Sequence, residues 1–283
     1  MHRLTLLTNP DTCNLHCPLC FLNQRGVPTG LGEMPVEVAR SSIEKYAGVR
    51  EVIPSTMGEP LLYSKFEELL ELCVCRGIPL NLTTNGTFPG RWGTEEGMEA
   101  LLLACSDIKV SSLSYEVGGL SESEWKANVE RLLDVRRRLL ESRRLEQAGK
   151  PVASVSLQVT LHRENMAMVS ELLRWAEQAG INRIKWNPVV FLDCASQELR
   201  ERFALPEGAV ERLHSVLCSE KVRCEGSLYF EGHNGTCIDG GSCSVGGDCP
   251  QDGSQKGCPF ADEVWVWPDG HEDHCPDPKR RWG

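Results

Sequence analysis

Leu4-Thr5-Leu6-Leu7-Thr8-Asn9-Pro10-Asp11-Thr12-Cys13-Asn14-Leu15-His16-Cys17-Pro18-Leu19-Cys20 runs from a short apolar strand, Leu4–Leu7, straight into three cysteines spaced C-x3-C-x2-C. Tetrahedral zinc would want a fourth ligand close by, and only His16 is available inside the motif. A cubane iron–sulfur cluster can instead take three thiolates and leave one iron open to an outside ligand. Spacing alone leaves both open. A ligand-bearing loop directly after the first strand is, however, where α/β barrels build their active sites.

The next two-thirds of the chain repeats the strand-then-helix pattern. Helix-spaced apolar residues mark Val36–Ala47, Ser64–Arg76 (stopped by Gly77), Glu95–Ala104 and Glu164–Ala179 (stopped by Gly180). Ser121 and Glu124 form a capping box that opens a long helix reaching to about Gln147. Between these lie strand-like runs at Val49–Pro54, Leu80–Thr84, Ile108–Leu113, Val152–Leu161 and Arg183–Phe191. Six β-then-α units with short connections imply parallel strands, right-handed crossovers and an α/β fold. Six is too few for a closed eight-fold barrel, so the reading is a partial, open (β/α)6 barrel.

Beyond about Leu205 the texture changes. Pro206–Ser219 reads as one more helix, and residues 226–257 hold nine glycines, too many for regular elements. The expected division is a barrel over residues 1–205 and a small, irregular Cys/Gly-rich iron–sulfur domain over 206–283. Of the 14 cysteines, seven lie between Cys218 and Cys275, while Cys73, Cys75, Cys105 and Cys194 sit in apolar surroundings and read as small buried hydrophobes.

The chain has 30 basic and 40 acidic residues, a net charge of −10, so no basic field awaits nucleic acid. The arginines around Arg131–Arg144 alternate with acids and read as a solvated helix face. The longest purely apolar run, Ala100–Cys105, is far too short for a bilayer. The first residues carry no signal-peptide core, so a cytoplasmic chain with reduced thiols is expected.

The cysteine loop resembles that of the radical S-adenosylmethionine (radical SAM) superfamily, and the resemblance extends over roughly residues 3–192. Met57-Gly58-Glu59-Pro60 resembles the family's Gly-Gly-Glu-Pro motif, with Met57 in place of the first glycine. Thr84-Asn85-Gly86 resembles its Thr-Asn-Gly strand end, and Ser111-Ser112 its Ser-bearing strand end. The resemblance implies a [4Fe–4S] cluster on Cys13, Cys17 and Cys20. It also implies SAM held by Gly58, Glu59, Asn85 and Ser112, with Gln158, Trp186 and Asn187 near the ribose and adenine. Phe21 would supply the ring usually found just before the third cysteine, where Leu19 stands here. It implies reductive SAM cleavage, hydrogen-atom abstraction from a small-molecule or peptide substrate, and an electron donor such as a flavodoxin or ferredoxin. Since the chain starts in its first strand, no peptide-recognition domain is expected ahead of it. That favours a small substrate or a peptide brought by a partner.

Cys258, Gly270 and Cys275, spaced C-x11-G-x4-C, resemble the opening of the SPASM and twitch extensions that hold auxiliary iron–sulfur clusters. The remaining ligands would come from Cys237, Cys243 and Cys249, giving one auxiliary cluster, or two with Cys218 and Cys224. Structural zinc is the competing reading. Cys194, His162, Glu116 and Tyr115 are candidates for substrate chemistry, because each follows a strand at the active-site end. Two rivals remain: a peptide maturase making cross-links or epimerising residues, with Cys194 returning a hydrogen atom, and a non-catalytic metal-binding protein on a decayed scaffold.

Overall fold

The computed structural model describes residues 3–46, 48–54, 57–112, 120–142, 151–209, 211–213, 215–216, 229–232 and 263–274. Its strands are β1 (Arg3–Leu6), β2 (Glu51–Pro54), β3 (Leu80–Thr84), β4 (Cys105–Ser112), β5 (Ser154–Leu161), β6 (Arg183–Pro188), β7 (Tyr229–Gly232), β8 (Glu263–Val266) and β9 (Glu272–Asp273). Helices α1 (Phe21–Arg25), α2 (Val36–Lys45), α3 (Phe66–Cys75), α4 (Glu95–Ala104), α5 (Glu122–Glu141), α6 (Val169–Ala179) and α7 (Gln197–Phe203) connect them.

Among the described residues one nine-stranded sheet runs in the order β7-β6-β5-β4-β3-β2-β1-β8-β9. Every pairing from β7 to β8 is parallel, and β9 alone is antiparallel. The six expected βα strands are therefore neighbours in sequence order, in the open sheet of a partial barrel. Three short strands from beyond residue 205 extend that sheet, β9 lying outside β8. β7 adds outside β6, and β8 adds beside β1 with Leu4 opposite Val264. Part of the Cys/Gly-rich C-terminal third is thus built into the barrel sheet.

Period-two alternation separates two environments. Leu4, Leu6, Val52, Leu82, Ile108, Val110, Val155, Leu157, Ile184 and Val264 are fully buried in the core shared with the helices. Their neighbours Arg3, Glu51, Asn81, Asp107, Lys109, Ser156, Arg183 and Lys185 occupy the opposite, lumen face. The capping box at Ser121 and Glu124 is present, and Gly180 ends α6 at φ 86°. Two helices escaped the periodicity reading. α1 is a single turn and a half, and α7 is held at its start by the Ser196 hydroxyl accepting from Leu199 N–H. No described helix is long and apolar enough to cross a membrane.

Of the cysteines expected to be buried, Cys73 and Cys105 are, whereas Cys75 and Cys194 are exposed. Cys75 sits on the outer face of α3, two residues past the last buried position, Cys73, and Cys194 lies in the loop after β6.

Candidate active site

Because the core strands are parallel, the loops after β1, β2, β3 and β6 gather at one end of the barrel, and the cysteine loop is stitched to each of the others. Glu59 N–H donates to Thr12 O (2.8 Å), and Asn9 Nδ2 donates to Glu59 O (2.7 Å). Asn85 Nδ2 donates to Asn14 Oδ1 (2.9 Å) and reaches Cys13 Sγ at 3.7 Å. Leu15 N–H approaches the same sulfur at 3.5 Å. Donors aimed at a thiol are what a metal-bound thiolate uses to disperse its charge.

Gly58 reaches φ 75°, and a Cβ there would lie 2.2 Å from Asn9 O and 2.7 Å from Thr12 O. The close approach that demands glycine is therefore to the cysteine loop itself. Glu59 is 1% exposed. Its Oε1 accepts from Thr84 Oγ1 (2.8 Å) and Leu61 N–H (3.2 Å), and its Oε2 from Asn85 N–H (2.7 Å). Burial raises its carboxyl to about 7 against these three donors, which pull the other way. In this arrangement Glu59 braces the ends of β2 and β3 beneath the cysteine loop.

Sequence reasoning missed Gln24. It is buried on α1 and acts across the barrel mouth. Its Nε2 donates to Leu19 O (2.9 Å) and Val190 O (3.1 Å), while its Oε1 accepts from Leu192 N–H (2.8 Å). Partners 166 and 168 residues away leave no trace in local spacing. Removing three bonds worth about 1 kcal/mol each predicts that Gln24→Ala loses about 2–3 kcal/mol. Cluster loss on mild heating should speed up accordingly, and unchanged denaturant midpoint and iron retention would contradict this.

The other sequence candidates divide. Phe21 packs against a second apolar cluster of Leu7, Met57, Leu192 and Trp267, next to the cysteine loop. Met57, the departure from the family motif, is thus a packing residue. Gln158 lies opposite Ser111 and Lys185 on the lumen face. Asn187 shares that face, and its buried Oδ1 has no hydrogen-bond partner.

Trp186 is a correction. Alternation turns it to the helical side, where it lines a gap with Trp125, Val159 and Leu172 rather than the lumen. For the fourth strand, the register pairs Ser111 with Gln158 but Ser112 with Val159, so the backbone favours Ser111 as the lumen serine.

His162 is also corrected. It is fully buried with its ring edge-on to Phe203 (5.1 Å), and burial holds it down to about 4. A neutral imidazole beneath α7 packs rather than meeting substrate. Cys194 is exposed, its Sγ 3.6 Å from Gln24 O. Tyr115, Glu116, Cys237, Cys243, Cys249, Cys258 and Cys275 lie outside the described residues.

The match to the Radical SAM superfamily model covers residues 10–176. The chain belongs to the radical SAM superfamily. Among curated proteins it is similar to the tungsten-containing aldehyde ferredoxin oxidoreductase cofactor-modifying protein of Pyrococcus furiosus, 22% identical over 177 residues, 60% of this chain and 47% of that protein. Among solved structures it resembles Streptococcus suis SuiB bound to S-adenosylmethionine, with TM-score 0.68, 16% identity, and coverage of 97% of this chain and 60% of SuiB. It also resembles anSMEcpe with AdoMet and the Kp18Cys peptide, with TM-score 0.64, 16% identity, and coverage of 97% and 74%. At these identities the likeness is one of fold. The chain spans about half the length of the curated relative and 60% of SuiB.

Family membership brings a [4Fe–4S] cluster and SAM, and the cysteine loop fits such a cluster. Cys13, Cys17 and Cys20 lie half-buried on one loop. Burial pushes Cys13 and Cys20 above the usual thiol range, so a bound metal's charge would be needed to keep them as thiolates. Among the described residues no three side chains converge on a single metal ion. A cubane does not require that, since each thiolate binds a different iron.

Proposed function

We propose that this chain reductively cleaves S-adenosylmethionine and uses the resulting 5′-deoxyadenosyl radical to take a hydrogen atom from a small-molecule or peptide substrate. Cys13, Cys17 and Cys20 hold the cluster, which supplies the electron for that cleavage when SAM is bound at its open iron. The observation that carries the reading is the cysteine loop at the barrel's carboxyl end, bonded to Glu59 and Asn85. Gly58 and Glu59 set the height of the loop, and Asn85 holds Asn14 and Cys13. Gln158, Ser111 and Asn187 present polar groups for the ribose and adenine; the unpartnered Asn187 Oδ1 suits an amino-group donor.

A peptide substrate draws support from the structures of SuiB with its precursor peptide SuiA and of anSMEcpe with the Kp18Cys peptide. Modification of a small metabolite draws support from the cofactor-modifying relative. The C-terminal cysteines Cys237, Cys243, Cys249, Cys258 and Cys275 hold an auxiliary iron–sulfur cluster that receives an electron or binds substrate. β8 and β9, which separate Cys258 from Cys275, form a hairpin held to α2 by Glu272, which accepts from Lys45 Nζ (2.8 Å) and Tyr46 OH (2.7 Å). Residues 206–283 thus serve as the auxiliary-cluster unit, and a cytoplasmic flavodoxin or ferredoxin serves as electron donor. The exposed Cys194 favours epimerisation as the second reading.

The test is iron and product analysis of anaerobically reconstituted protein beside the variant in which Cys13, Cys17 and Cys20 are all Ala. About four irons should be lost, with all 5′-deoxyadenosine formation under strong reductant, and about four should remain on the C-terminal cysteines. Iron falling to none would remove the auxiliary cluster. Wild type that holds iron yet forms no 5′-deoxyadenosine would leave the decayed-scaffold reading in its place. Retained 5′-deoxyadenosine but lost product in Cys194→Ala would mark epimerisation.

A further inference from the structure

Below the SAM-binding end, the lumen is charged where barrel interiors are usually filled by branched apolar side chains. Among the described side chains three carboxylates face it, and each is bonded to an arginine. Arg3 bridges Glu51 (3.1 Å) and Glu263 (3.2 Å). Asp107 accepts from Ser154 Oγ (2.8 Å), Ser156 Oγ (2.7 Å) and Arg183 Nη2 (2.5 Å).

Lys109 shares Asp107 with Arg183, and holds it at ion-pair rather than hydrogen-bond distance. Its ammonium donates to the neutral Asn81 Oδ1 (2.5 Å), and the nearest acid, Asp107, stands 3.9 Å away. An ammonium carries three donors, so two are not spent on a close acceptor. Only 14% of its side chain is exposed, and Lys185 and Arg183 add like charge. Burying a cation whose carboxylate is shared and stands at 3.9 Å is costly. Desolvation, ahead of the attraction of Asp107 and Glu51, lowers Lys109 to about 8, which is the protein's partial relief.

We infer that Lys109, with Asn81 beside it, is the anchor for a carboxylate carried by the substrate, so that the radical chemistry proposed above acts on an acid. This deepens that reading and rests on it for the word substrate. A lone ammonium is a compact point charge suited to one monoanion, whereas a phosphate dianion is better matched by a guanidinium fork. Asp107 engages Arg183 through Nη2, which leaves the Lys109 ammonium as the recognition element. Above it, Ser111, Gln158 and Asn187 are uncharged and Lys185 stands opposite Gln158 as a second lumen ammonium, so the Lys109 variants below decide which of the two cations holds the carboxylate. The substrate's remaining atoms would then point up toward the cysteine loop.

The experiment is calorimetric titration of the anaerobically reconstituted full chain at low ionic strength with acetate, inorganic phosphate and acetamide. Wild type should show one acetate site, with acetamide and phosphate each at least ten-fold weaker. Acetate affinity should fall about ten-fold per pH unit above roughly 8, as Lys109 loses its proton. Lys109→Met should weaken acetate at least ten-fold, and Lys109→Arg should retain most of it. Circular dichroism on both variants separates a folding failure from a lost site. Equal acetate binding by wild type and Lys109→Met, no saturable acetate site in wild type, or tighter binding of phosphate or acetamide would each overturn the inference. The titration needs no SAM. Wild type that binds acetate but fails to cleave SAM sinks only the radical reading, and the reverse sinks only this one. A blocked aspartyl peptide against free succinate, titrated next, tells a peptide source of the carboxylate from a small acid.

Discussion

Gly58→Ala is expected to destabilise the protein by about 3 kcal/mol and to strip most of the iron bound by the cysteine loop. Two costs add. An alanine at φ 75° carries about 1–2 kcal/mol of left-handed strain. Its Cβ would also stand 2.2 Å from Asn9 O and 2.7 Å from Thr12 O, a collision with backbone that no side-chain rotation relieves. Moving those carbonyls would break the Glu59 N–H to Thr12 O bond, the Asn9 Nδ2 to Glu59 O bond and the turn in which Thr12 N–H donates to Asn9 O. Gly180→Ala is the internal control. It has φ 86° and nothing within 4 Å of the added methyl, so it should cost only the strain, about 1–2 kcal/mol. Anaerobic denaturant midpoints and iron content of the two variants decide the matter. If both behave alike, the contact with the cysteine loop carries no weight.

The second large effect belongs to Glu59. Its carboxyl sits at about 7 in the folded chain against an ordinary value of 4.5, because burial outweighs the three donors. The folded state therefore binds a proton that the unfolded state has released across the window from about 4.5 to 7. Stability declines as pH rises through that window and is flat beyond it. A shift of this size corresponds to about 3 kcal/mol between pH 4.5 and pH 8. Other carboxylates work in the opposite sense, Glu95 and Glu164 being held low by Arg138 and Arg202. The Glu59 contribution is therefore read as a difference between wild type and Glu59→Gln. That variant has one acceptor oxygen where three donors converge, so its amide must face either Leu61 N–H and Thr84 Oγ1 or Asn85 N–H. A loss of about 2 kcal/mol is expected at pH 4.5, where the wild-type carboxyl is protonated, and the gap should close or reverse by pH 8 as the buried charge forms in wild type alone. A gap between variant and wild type that stays constant from pH 4.5 to pH 8 would show that Glu59 does not titrate as a buried brace.

How much of the site was legible follows from how its parts communicate. Cys13, Cys17 and Cys20 are close in sequence because one short loop carries them, so their spacing is a local property. The strand ends at 57–59 and 84–86 were legible for the same reason: each is a short turn whose residues work together. Gln24 was not, since every one of its partners beyond Leu19 arrives from the loop after β6. Trp186 and Asn187 show the limit differently. Both sit at the right strand end, but which faces the lumen depends on the phase of alternation, and an apolar Trp next to a polar Asn did not decide that phase against a family resemblance. The second apolar cluster around Leu7 and Trp267 likewise joins segments 260 residues apart.

By itself the amino-acid sequence determined the repeating βα order, the position of the cysteine loop after the first strand and the capping of α5, because hydrophobic period and cap chemistry act within a few residues. Only the tertiary structure decided that β8 joins the sheet beside β1, that Glu59 turns inward as a brace, and that Lys109 stands in the lumen sharing Asp107 with Arg183. Those outcomes depend on strand register and on which charges other residues have already taken, quantities that exist only once distant segments share one interior.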